Sequence, residues 1–386
     1  MDTGMEKWKL VAIVVASPLT AQAALHVGVG QTYADISAAA AAASPGDFVL
    51  IDAGTYPTFT LDKGITLRPN PMTATVIVGA VGQTTPCTIE VPIGQRAHIE
   101  RLDIRQPVTV TPPPGMSAAG PVSFTEVTSL GGVDVWNASL ALDKCNITGV
   151  FAAGANVGSG VRLDGASTLS ASQCTITGRT LIFAFPAPSG IAASGNSSVI
   201  VSDCTVTGGS AGSIHSVSAF GSGMRLTAAS IAWCVDSSIA PAVGSSLVPG
   251  IDNASPHPVT LERTTTSSTG LVQNGLVLGL GLSAPLMRGN STQLDFGTRP
   301  GLPVIVHGSL DLGRPVLHPY IKQPDWGFIS NSILIGALVA NGQGVANLPI
   351  TLPNSPWLQD LPLWFCGWTG VSVPVQLSPV VGGLVR

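Results

Sequence analysis

"GVDVWNASLALDKCNITG" (132–149), "GVRLDGASTLSASQCTITG" (160–178) and "GIAASGNSSVIVSDCTVTG" (190–208) are three versions of one phrase. Each opens on glycine and closes on Cys-x-Ile/Val-Thr-Gly, with the cysteines at 145, 174 and 204. A looser copy, "GMRLTAASIAWCVDSS" (223–238), sets Cys234 another thirty residues on. Within a copy the apolar residues alternate: Leu140, Leu142, Cys145 and Ile147, then Val199, Val201, Cys204 and Val206. Period two means strands, and a strand phrase returning at a fixed interval means a stacked solenoid. One coil cannot bury its apolar edge alone, so its neighbours must cover it.

Equivalent residues of successive coils stack at about 4.8 Å. Cys145, Cys174, Cys204 and Cys234 are therefore expected to form one inward column. Two states of that column stay open: thiols acting as small hydrophobes, or disulfides between adjacent coils, which parallel side-chain directions disfavour. A line of thiolates lacks the tetrahedral geometry of a metal site.

Working outward, composition agrees with a β-rich chain. The 386 residues include 45 Gly and 30 Pro, and only 10% are charged, against roughly 25% in ordinary globular chains. With a net charge of −4 and no Lys/Arg run, nucleic acid is not an expected partner. At the N-terminus, Lys7 and Lys9 precede the apolar "LVAIVVASPL" (10–19) and the small-residue "AQA" (21–23). That is the pattern of an export signal, residues 1–23, with cleavage after Ala23. The apolar run is too short to span a bilayer, and "LVQNGLVLGLGLSAPLM" (271–287) is broken by Gly, Asn and Pro. The mature chain is expected to be secreted or at the cell surface, with no membrane span.

The opening segment "QTYADISAAAAAASPGDFVLIDAGTYPTFTLDKGITLRPN" (31–70) carries Tyr33, Ile36, an Ala run, Pro45-Gly46-Asp47 and Gly54-Thr55-Tyr56. Together with the repeats, over about residues 28–285, it resembles the right-handed parallel β-helix of the pectin lyase-like superfamily. The resemblance implies an all-β fold with an N-terminal helix capping the open end of a β-helix over 24–285. After 286 the period stops and alternation is broken by Pro and Gly, which suggests a small antiparallel β-sandwich-like module over 286–386. Its phrase "GQGVANLPITLPNSPWL" (342–358) resembles a C-terminal module of secreted bacterial proteins.

The superfamily resemblance implies a polysaccharide as partner. A lyase of this kind needs an Arg or Lys base and carboxylates holding calcium, whereas a hydrolase needs paired carboxylates. The carboxylates here are thin: Asp134, Asp143, Asp164, Asp203 and Asp236 come one per coil and do not align in one column. One outward column does carry charge. Two residues after each coil's glycine stand Asp134, Arg162, Ala192 and Arg225. Arg162, Asp164 and Arg225, with His215 in the loop leading back to Arg225, are the candidate catalytic set. Trp357, Trp364 and Trp368 are candidate sugar contacts. The resulting expectation is a polysaccharide-binding or structural protein without catalysis or cofactor. The alternative is a lyase or hydrolase of acidic glycans, for which calcium is the possible cofactor.

Overall fold

The computed structural model describes residues 23–79, 85–149, 158–179, 187–211, 219–243, 245, 248–275, 277–310, 312, 323–324, 332–370 and 375–386. The expected export signal, apart from Ala23, and His215 lie outside them, as does the side chain of Trp357.

Among the described residues, short strands build three parallel sheets of eleven, nine and nine strands, here sheets 1, 2 and 3. One coil runs through Ser139–Asp143 in sheet 1, Asn146–Thr148 in sheet 2 and Val161–Asp164 in sheet 3. The next coil then lays Thr168–Ser172 in register on Ser139–Asp143. The inward columns are apolar and buried: Leu140, Leu169, Val199 and Ala232 in sheet 1, and Ile147, Ile176, Val206 and Ile239 in sheet 2. This is the arrangement of a parallel β-helix.

The register corrects one expectation. Cys145, Cys174 and Cys204 do stack, but Cys234 pairs with Val201 in sheet 1, one column away. Ser237 continues the cysteine column and accepts the Cys204 N–H at 3.1 Å. The coil between them is 33 residues long rather than 30, so aligning on residue type misplaced it. All six cysteines are buried, free thiols.

The column sits at the corner between sheets 1 and 2, which the coils from Arg101 onward turn in the same way. Arg101, Glu126, Lys144, Gln173, Asp203, Asp236 and Arg263 each adopt a left-handed conformation with φ between 44° and 55°. Asp203 and Asp236 thus share a position, contrary to the dispersed carboxylates expected from sequence. At the far end of sheet 2, the glycine closing each phrase sits where backbones meet. A Cβ on Gly149 would lie 1.9 Å from the Gly158 carbonyl oxygen, and one on Gly208 would lie 1.9 Å from that of Gly221.

A short helix, Ile36–Ala42, starts where the Asp35 carboxylate accepts the Ala38 N–H at 2.7 Å. It buries Ile36, Ala39 and Ala40 against the first strands. Apart from a two-stranded antiparallel hairpin of Ser210–Ala211 with Ala219–Phe220, pairing is parallel up to the last parallel strand, Val272–Asn274, and the antiparallel sheets begin at Gly279–Leu282. That strand, Ser291–Gly297 and Val345–Thr351 form one antiparallel sheet. Ile333–Val339, Pro303–Ser309, Pro362–Thr369, Gln376–Leu377 and Val381–Leu384 form a second. Between them lie Leu280, Leu294, Phe296, Val304, Val306 and Phe365.

This C-terminal unit lies on the outer face of sheet 1. Outward-facing Ala141 packs with Leu312, Trp364, Cys366, Leu377 and Val380, and outward-facing Ile200, Trp233 and Val235 pack with Val277. Polar clasps flank the apolar seam. Arg386 pairs with Glu100 and Glu126, Arg68 with Asp360, and the Arg263 guanidinium donates to the Thr298 carbonyl at 2.6 Å.

Candidate functional site

With sheet 1 covered, the outer faces of sheets 2 and 3 remain. Sheet 2 presents a polar ladder in which the Asn146 amide and the hydroxyls of Thr175, Thr205, Ser238 and Thr265 stand in one exposed column. Sheet 3 presents charge. Its register places Asp134, Arg162, Ala192, Arg225, Asp252 and Thr269 in one outward column. A parallel column stands two residues along, where Trp136 is in register with Asp164.

Ion pairs form both between the columns and along the first of them. Arg162 Nη2 lies 3.7 Å from Asp164 Oδ2, and Arg225 Nε lies 3.6 Å from Asp252 Oδ2. The other Asp164 oxygen accepts from Ser194 Oγ at 2.9 Å and from the Gly165 N–H at 2.8 Å. This fixes the carboxylate and leaves Oδ2 for the guanidinium. Both ion pairs are solvent-exposed, so each contributes at most about 1 kcal/mol to stability. Their guanidinium forks are therefore inexpensive to redirect toward a ligand.

Two members are unusual. Trp136 stands 55% exposed, although a tryptophan free to pack is normally largely buried. Asp134 carries a carboxyl pushed up to about 6 by burial, with Arg162 pulling it only part of the way back. Its Oδ1 is buried without a hydrogen-bond partner. An exposed ring face suits the apolar face of a sugar, and planar guanidinium forks suit carboxylates. A carboxyl titrating near 6 can move a proton at mild pH.

Of the sequence candidates, the fold brings Arg162 and Asp164 together and sets Arg225 two rungs away, about 9.6 Å along the sheet. Trp364 and Trp368 lie elsewhere, on the C-terminal unit. Trp364 is buried in the seam, and Trp368 stacks on His307 with ring centroids 4.8 Å apart. Sequence reasoning missed Trp136 and Asp252. Trp136 has the same outward parity as Asp134, and Asp252 stands two residues after Gly250, the offset that gave the other members. Among the described residues no three His, Cys, Asp or Glu side chains converge on a point where a metal ion could sit. Asp134, Asp164 and Asp252 belong to different coils and do not fit calcium, which takes 6–8 oxygen ligands. No helix among the described residues is long and apolar enough to cross a membrane. The chain matches no protein-family model, no curated protein and no solved structure.

Proposed function

We propose that the protein is an exported extracellular or cell-surface β-helix that binds polysaccharide along sheet 3 without transforming it. The observation that carries this reading is Trp136, exposed beside a file of Asp134, Arg162, Asp164, Arg225 and Asp252 on the solvent face of a rigid sheet. Rungs repeating at a constant spacing suit an extended repeating chain. The two arginines favour a glycan that bears carboxylates. In this reading the solenoid is right-handed and pectin lyase-like, the Ile36–Ala42 helix caps its open end, and residues 1–23 direct export.

The test is affinity electrophoresis of the mature chain in gels containing polyuronates or neutral glycans. Retardation by polyuronate that Trp136→Ala and Arg162→Ala each reduce supports the reading, and unretarded migration in every gel rejects it. One observation favours a second reading, a lyase or hydrolase of acidic glycans. Asp134, titrating near 6 and in register with Arg162, is placed to act as general base or acid. Release of unsaturated or reducing ends from polyuronate, lost in Asp134→Asn, would establish that enzyme in place of the binding protein.

A further inference from the structure

The seam between sheet 1 and the C-terminal unit is not closed throughout. Near its N-terminal end a cavity of about 350 Å³ remains, lined by Phe48, His98 and Ser123 on the solenoid side and by Asp360, Trp364 and Leu384 on the other. That is more than ten times the volume a water molecule occupies in the liquid, about 30 Å³.

Two polar side chains on its wall are buried and incomplete. His98 is 5% exposed, and its Nδ1 lies 2.9 Å from Ser123 Oγ. The Ser123 hydroxyl donates to the Ala97 carbonyl at 3.3 Å. In the tautomer that keeps this bond, Nδ1 donates to Oγ and Nε2 is a bare acceptor. Nε2 is buried and has no partner. Burial, reinforced by Arg96, Arg386 and Arg68, lowers the His98 pKa to about 3, so the ring stays neutral. Trp364 is 3% exposed, and its indole N–H is likewise buried without an acceptor. The two rings meet edge to face with centroids 5.9 Å apart. The cavity is therefore lined by one residue with an unmet acceptor and one with an unmet donor, each costly to leave unsatisfied.

A hydroxyl group both donates and accepts, so it answers both. The charged side chains lining the cavity are already engaged: Asp360 pairs with Arg68, and Arg96 donates to the Leu310 carbonyl at 2.9 Å. We propose that this cavity is a binding site for a small neutral polyhydroxy compound, a polyol or monosaccharide, whose hydroxyls bond His98 Nε2 and Trp364 Nε1. Apolar Phe48 and Leu384 would face its carbon skeleton. The site is separate from the sheet 3 strip, and bound ligand would bridge the solenoid and the C-terminal unit.

The experiment is calorimetric titration of the full chain with glucose, inositol and glycerol, with tryptophan fluorescence as a second readout. One-site saturable binding of at least one probe is expected. Trp364→Phe keeps an aromatic ring in the seam and removes the N–H, and should weaken binding about fivefold. Ile93 lines the cavity and is 55% exposed, so Ile93→Trp can obstruct the cavity without disturbing the core and should abolish binding even if Trp364→Phe does not fold. Trp136→Ala should lose polyuronate retardation yet still take up the small probe, which separates failure of this site from failure of the strip. No saturable binding of any probe, equal binding by wild type and Ile93→Trp, or a crystal soaked in glucose with only water against His98 and Trp364 would each overturn the proposal.

Discussion

Cys174 donates its thiol hydrogen to the Ser172 carbonyl at 3.1 Å and accepts the Cys145 N–H at 3.4 Å. Cys204 repeats this arrangement, Ser237 performs it with oxygen, and Thr264 makes the carbonyl bond to Glu262. The recurring residue is thus a small buried donor that closes a left-handed corner, and sulfur is one way to supply it. Cys174→Ser should preserve stability, whereas Cys174→Val should lose about 1 kcal/mol in urea melts. Equal stability of the two variants would show the thiol acting only as a hydrophobe. Burial raises the Cys174, Cys204 and Cys234 thiols above their usual range, which lowers their reactivity while the chain is folded. At Asp134 the sign runs the other way for a ligand. As pH falls through about 6 the carboxyl loses its charge, so polyuronate retardation should strengthen. Asp134→Asn should bind strongly on both sides of that step, and an unchanged pH profile in this variant would remove Asp134 from the site.

At the scale of the coil, the phrase Cys-x-Ile/Val-Thr-Gly is one corner followed by one strand of sheet 2 and a close backbone approach. Gly208→Ala would drive a methyl into the Gly221 carbonyl, and we expect a loss of about 3 kcal/mol or more or failure to fold, measured by thermal melts. A wild-type melting temperature would mean that the loop yields there. How far the site was legible depended on the marker used to align coils. The glycine-plus-two position placed Asp134, Arg162 and Arg225 in one column because β-stacking transmits register between coils. Extended to Gly250, it gives Asp252. Alignment on cysteine failed at Cys234 because three added residues shift the phrase, and the hydrogen-bonding role passes to Ser237. Trp136 was missed because tryptophan in an alternating strand suggests core, although its parity with Asp134 points it outward.

At the scale of the whole molecule, the C-terminal unit is held by an apolar seam and a buried charge cluster. Arg386 reaches Glu100, which is 1% exposed, and also Glu126. Arg386→Met would leave Glu100 buried without its cation, a loss expected to cost about 3–5 kcal/mol. Faster proteolysis of the C-terminal unit would register it, and an unchanged rate would show that the seam holds without the clasp. Asp143 faces the same cluster of Glu100, Glu126, Lys144 and Arg386. Burial pushes its carboxyl up to about 7, Lys144 lowering it and Glu126 raising it. The folded state therefore holds this proton more tightly than the unfolded chain. The stability it contributes is complete below about pH 4 and is lost as pH rises through about 7. Asp143→Asn should flatten that decline and be more stable than wild type at pH 8, by ~1 kcal/mol or more; parallel pH profiles would place the titration elsewhere.

The sequence alone determined the stacked all-β solenoid, because a buried apolar column requires the same residue parity in every coil and thirty-residue periodicity is visible without coordinates. It also determined that the last hundred residues break that pattern. Only the tertiary structure decided which outer face is left to solvent. Apolar residues such as Ile200 and Trp233 point out of sheet 1, but what covers them is fixed by contacts between segments far apart in the chain. The same distance hides the cavity at His98 and Trp364, whose 266-residue separation in sequence becomes a 5.9 Å ring contact only when the C-terminal unit packs onto the solenoid.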